Sequence, residues 1–124
     1  MFKKRTCCER YGMTTRRWGS RMWAQLITMR LKPGMEGDLP LLLDQLRATE
    51  QPGSGLIRSM TMQDNADPSR IHTLIVFESE ELARQRESDP RRNEGLQNAR
   101  ATMAQMFDGP PEFTDLTVVA DWTP

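Results

Sequence analysis

The segment Arg70 to Glu78, "RIHTLIVFE", limits the fold more than any other, because its apolar residues cannot share one side of a strand. With side chains alternating between faces, Ile71, Ile75 and Phe77 point one way, while His72, Leu74 and Val76 point the other. Residues 112–122, "EFTDLTVVADW", repeat the pattern: Leu116, Val118, Ala120 and Trp122 share one face, and Phe113 and Val119 take the other. An antiparallel sheet with one wet face would alternate cleanly instead. Both faces of this sheet therefore call for cover.

The remaining elements supply only one layer of cover. "WAQLITMRLK", Trp23 to Lys32, is rich in strand formers and ends at the turn signal Pro33-Gly34. From Asp38, a candidate N-cap, the period changes. Leu39, Leu42, Leu43 and Leu46 fall at i, i+3, i+4 and i+7, which puts four leucines on one face of a helix. Pro40 fits its first turn. The helix stops before Pro52-Gly53. A strand over Gly55 to Gln63 and the turn "DNADPS" lead into the Arg70–Glu78 strand as a hairpin. Ser79 opens a second helix, with Glu80 and Glu81 suited to the positive end of its dipole. Asp89-Pro90 interrupts it. It resumes near Asn93 with a stripe of Leu96, Ala99, Met103, Met106 and Phe107, and Gly109-Pro110-Pro111 closes it. Glu112 to Trp122 is the last strand.

The order β-α-β-β-α-β predicts a ferredoxin-like α+β fold: a four-stranded antiparallel sheet with helices on one face. The second face is then left for a partner, and the simplest is the same sheet from a second copy, giving a two-fold homodimer.

Composition narrows the class. The 124 residues are 37% hydrophobic and 27% charged, which suits one soluble domain. No apolar run approaches the roughly 20 residues that span a bilayer, so no membrane role is expected. Cys7 and Cys8 are the only cysteines and are adjacent, a spacing that disfavours both mutual pairing and a zinc site. A reducing, cytoplasmic setting follows as the expectation. The net charge of zero hides a division: residues 1–21 hold seven basic residues and one acidic, +6, while the rest hold ten and sixteen, −6. Residues 1–21 are read as a basic, disordered extension without a secretory core, and residues 22–124 as the folded domain. Met22, just before the first strand, is an alternative start.

Three stretches carry a resemblance. "LITMRLKPGMEG" at 26–37, "EQPGSGLIRSMTMQD" at 50–64 and the Asp89-Pro90 break are similar to parts of the antibiotic-biosynthesis-monooxygenase-like dimeric α+β barrels. The likeness covers about residues 22–122. It rests on turn chemistry, Lys-Pro-Gly-x-Glu and Glu-x-Pro-Gly, not on a catalytic signature. It implies a dimeric barrel with a ligand between sheet and helices, and among the activities it implies are cofactor-independent oxygenation of quinols or polyphenols and haem degradation. The haem-degrading members have an Asn, a Trp and a His that match Ile27, the Phe77–Glu80 region and Arg86 here. None is retained, and an arginine has no lone pair to give to iron. That route is disfavoured.

Candidate chemistry rests on few groups. His72 is the only histidine and its ordinary pKa suits a general base near neutrality; a lone His without an evident partner is more often a structural residue. Arg58, one strand over, would hold a phenolate or enolate-like anion, or else sit in solvent or an interface. Trp23, Phe77, Met60, Met103 and Phe107 are the candidate ligand-binding residues, aromatic faces and flexible thioethers suited to a small hydrophobic or aromatic ligand. Trp122 is a further stacking candidate. Each also reads as core or dimer contact. "ARQRESDPRR" reads as a solvated helix end with local ion pairs. RNA-recognition domains share the element order, but "SRIHTLIVF" lacks their aromatic run and the domain is acidic, so no nucleic-acid binding is expected. The reading is a small-molecule-binding dimeric barrel with no metal or cofactor. Monooxygenation of a quinol or polyphenol-like substrate is one activity for it, and a non-catalytic ligand-binding or regulatory module is the alternative.

Overall fold

The computed structural model describes residues 21–124, so the expectations placed on the basic extension and on Cys7 and Cys8 lie outside the described residues. The elements are β1 (Trp23–Arg30), α1 (Leu39–Arg47), β2 (Leu56–Gln63), β3 (Arg70–Phe77), α2 (Glu80–Glu87), α3 (Asn93–Met106) and β4 (Glu112–Thr117). All neighbours in the sheet are antiparallel, in the order β2-β3-β1-β4. This is the expected ferredoxin-like α+β architecture, its second helical segment broken into α2 and α3. Among the described residues no helix is long and apolar enough to cross a membrane.

Local chemistry explains the helix limits. Ser79 caps α2, its Oγ accepting from the Leu82 amide at 3.2 Å. Asp89 accepts from the Arg91 amide at 3.0 Å, and Pro90–Arg92 form one tight turn before α3. Asp38, in contrast, does not cap α1: its backbone is already helical and its side chain makes no capping bond. Pro40 stands at the second helical position and has no amide to offer, which removes one of the two donors such a cap uses. The four leucines nevertheless turn inward, Leu42 fully, while Leu41 between them is 55% exposed.

The helices pack one face of the sheet at two separate places. Leu42 of α1 and Ala99 and Met106 of α3 close over Ile71, Leu31 and Phe107. Ala83 of α2 closes over Trp23 and Phe77. Ile71 and Phe77 thus fix the parity of β3: odd positions face the helices, and His72, Leu74 and Val76 face away. Gly55 makes the second contact possible. Its φ of +80° suits glycine, and a Cβ there would lie 2.7 Å from Leu82 Cδ1. Just beyond it, β2 shifts register between Leu56 and Arg58, a bulge on an edge strand.

Three sequence expectations are corrected. β1 stops at Arg30, not Lys32, because Leu31 turns to bridge Phe107 and the Lys32 amide donates to the Met106 carbonyl at 2.8 Å. β4 stops at Thr117, not Trp122. Thr117 already stands opposite Trp23, the first residue of β1, and just past it the Val118 amide donates to the Met22 carbonyl at 3.1 Å. Trp122 is left 57% exposed. The charged stretch after β3 is not simply solvated. Arg84 pairs locally with Glu80 and Glu87, and Arg91 with Asp89, but Arg86 reaches Glu50 and Arg92 is only 6% exposed.

Candidate functional site

Along β3, Ile71 and Phe77 are six residues and about 20 Å apart, and each anchors its own cluster. Along the strip of sheet between them Ile75 packs against the Phe77 cluster, and the row at Thr73 belongs to neither. At its centre Thr73 stands beside Thr61 of β2 on one side and Ile27 of β1 on the other, with Phe113 of β4 beyond. Ile27, Thr61 and Thr73 are all half-buried. The two threonine hydroxyls lie 3.0 Å apart, a hydrogen bond in which either is the donor. One step toward Phe77, the row is Ser59, Ile75, Gln25 and Asp115, with the Gln25 amide donating to Asp115 at 3.0 Å. The strip sets the apolar Ile27, Ile75 and Phe113 among hydroxyl, amide and carboxylate groups of the kind that fix the orientation of a small molecule.

The Phe77 end of the strip is walled by aromatic and cationic groups. Trp23 and Phe77 lie 6.1 Å apart, tilted by 41°. Arg84 covers the Trp23 ring at 4.8 Å and Arg86 covers Phe77 at 5.3 Å, both from α2. Arg84 is also held by Asp115 at 3.0 Å. The hydrogen bond from Gln25, with that from Arg84, lowers the pKa of Asp115, and the carboxylate contacts raise that of Arg84. Arg86 donates to Glu50 through Nε and Nη2. Burial works to raise the Glu50 pKa, but hydrogen bonds from Arg86 and Ser54 together outweigh it and the net direction is down. Arg92 donates to the Arg86 carbonyl and the Thr49 hydroxyl, and burial lowers its pKa. A depression of about 260 Å³ opens beside Trp23, lined also by Met22, Ser79, Glu80, Glu81 and Thr117.

The predicted site residues divide between the two sides of the sheet. Trp23 and Phe77 belong to one cluster on the helix side, and Phe107 and Met103 to the other. His72, Arg58 and Met60 lie on the opposite side, where His72 Nδ1 shares a hydrogen bond with the Thr28 hydroxyl at 3.0 Å. Arg58 is level with Val76 and His72 with Met62, so the pair is about 13 Å apart along the strands. They do not converge on one atom, and the sheet separates them from the aromatic set. Ile27, Phe77 and Arg86, the three haem-related positions, do share the helix side. Sequence reading missed Thr61, Thr73, Gln25 and Glu50. The odd parity of Thr73 with Ile71 and Phe77 was the signal available for it. Among the described residues no three His, Cys, Asp or Glu side chains gather as a metal would require.

No protein-family model matches the chain, and no curated protein matches it. Solved structures do. A candidate antibiotic biosynthesis monooxygenase from Caulobacter crescentus superposes with a TM-score of 0.66 at 15% identity, over 81% of this chain and 92% of that one. A second from Bordetella bronchiseptica gives 0.64 at 19% identity, over 80% and 98%. A variant of SnoaB, a cofactor-independent oxygenase from Streptomyces nogalater, gives 0.62 at 12%, over 80% and 94%. The four-stranded sheet with its helices on one face is a ferredoxin-like α+β domain. More narrowly, its fold is that of the antibiotic-biosynthesis-monooxygenase-like proteins.

Proposed function

We propose that the protein is a homodimeric small-molecule-binding barrel that holds a small hydrophobic or aromatic ligand over the central strip of each sheet, on the helix side. The observation that carries this is the gap between the two clusters, which leaves Ile27, Thr61 and Thr73 half-buried between the Trp23–Phe77 wall and the one built on Ile71, Leu42 and Phe107. The dimer reading is supported by the other side of the sheet, where Leu26, Leu74 and Val76 lie with Met60, Met62 and Leu116. The last three are 38%, 41% and 39% exposed with no helix over them. A two-fold copy of the same face covers them at low cost in new chemistry. His72 and Arg58 then belong to the subunit interface. The two adjacent cysteines, with no third to pair with, favour a reducing, cytoplasmic setting.

The fold's likeness to a cofactor-independent oxygenase favours one activity for such a site, oxygenation of a quinol or polyphenol that supplies its own electrons. The strip offers that substrate neutral hydroxyls and an amide, with Asp115 at its edge as the carboxylate within the row. Mass spectrometry of what copurifies identifies the ligand. Oxygen uptake with a quinol panel then separates enzyme from binding module: uptake that depends on Phe77 and Ile27 supports catalysis, and none with any quinol leaves the binding module as the function.

A further inference from the structure

We infer that the Thr61–Thr73 hydroxyl pair is the polar anchor of this site and selects an aromatic ligand bearing a neutral ring oxygen, a carbonyl or a hydroxyl. The inference rests on the ligand reading above and adds the chemistry that the strip recognises. Both threonines occupy helix-facing positions directly across from each other on β2 and β3, in the same row as Ile27. They are part-buried, with Thr73 two residues along β3 from Ile71 and two from Ile75, which packs against the Phe77 cluster.

Hydroxyl bookkeeping fixes what the pair can offer. Each threonine brings one O–H and two lone pairs. Their mutual 3.0 Å bond uses one O–H and one lone pair. One O–H and three lone pairs remain, and among the described residues no other group engages them. The free O–H suits a ligand carbonyl. If the pair instead meets a ligand hydroxyl, that hydroxyl donates to a free lone pair with no change in protein charge. The same two residues therefore serve an aromatic ketone and its alcohol. A charged ligand group would gain less here, because the flanking positions in the row, Ile27 and Phe113, are apolar. The threonines are also stiff at χ1, so the anchor loses little rotamer freedom when a ligand arrives.

Three probes on one skeleton test this: fluorenone, 9-fluorenol and fluorene, measured by equilibrium dialysis against the full chain. The variants are Thr61→Val, Thr73→Val and the double, which keep side-chain shape and strand preference; circular dichroism checks their fold. The expected result is that fluorenone and fluorenol bind the unmodified protein more tightly than fluorene. In the double variant both fall about three- to tenfold, the scale of one neutral hydrogen bond, and fluorene is unchanged. If fluorene binds as tightly as fluorenone, or the valines leave all three alike, the anchor is refuted while the ligand site stands. If none of the three binds, the site itself is refuted and the anchor with it.

Discussion

Arg86 donates from both Nε and Nη2 to a single oxygen of Glu50, at 3.0 and 2.8 Å, across 36 residues of sequence. The pair joins α2 to the loop that precedes β2, and Ser54 of that loop donates to the other Glu50 oxygen. Because the Arg86 side chain is only 15% exposed, the contact is screened less than a surface ion pair. It also sets the guanidinium over Phe77, so one arginine ties loop, helix and aromatic wall together.

Removing one partner should cost more than the pair is worth. Arg86→Ala leaves Glu50 half-buried without its cation, and a loss of about 1–2 kcal/mol is expected once partial exposure is allowed for. Urea unfolding of Arg86→Ala, Glu50→Gln and the double variant measures it. The double should lose less than the sum of the singles.

The same pair sets an acid dependence. The Glu50 pKa is lower folded than its ordinary 4.5. A depressed carboxyl contributes stability that is present above the unfolded value and is lost as pH falls through the folded value. Thermal midpoints measured downward from pH 6 should therefore fall below about pH 4.5, and Glu50→Gln should flatten part of that fall. A curve unchanged by the substitution contradicts the assignment.

Glycine 55 is a point of close approach. Gly55→Ala combines a positive φ with a Cβ 2.7 Å from Leu82, and should destabilise by about 2–3 kcal/mol. Gly34 has a nearly equal φ, +82°, but open space around it. Gly34→Ala should cost only about 1 kcal/mol, the conformational part alone. Paired chemical denaturation separates strain from collision.

The helix-free face makes a prediction about assembly. Met60→Asp places a charge on the β2 side of that face and should convert the proposed dimer to a folded monomer, read by light scattering with circular dichroism alongside. His72→Ala should remove one hydrogen bond to Thr28, about 0.5–1.5 kcal/mol of stability, and leave ligand affinity unmoved. A His72→Ala variant that folds normally but loses ligand would place the histidine in the site after all.

What the sequence made legible follows from physics of short range. The leucine period of α1, the Ser79 cap and the Asp89-Pro90 break each depend on neighbours within one helical turn, and each is found where expected. Strand ends were less legible, since β4 ends where Thr117 meets Trp23, the first residue of β1, a fact about residue 23 and not about residues 118–122. The charged stretch misled for the same reason: Arg84 meets Glu80 locally, whereas Arg86 meets Glu50 only after the chain has folded. Period-two alternation was enough to assign Ile71 and Phe77 to one side and Leu74 to the other. It also placed His72 and Phe77 on opposite faces of one strand, which is why the two cannot line the same site.

The register shift at Ile57 has a bearing on how the molecule keeps company in a crowded solution. β2 is an outer strand, and a stray extended peptide laid against it meets a ladder whose spacing fails between Leu56 and Arg58. Stacking of one chain on the next is thereby discouraged at this rim, and growth into filaments would have to begin elsewhere.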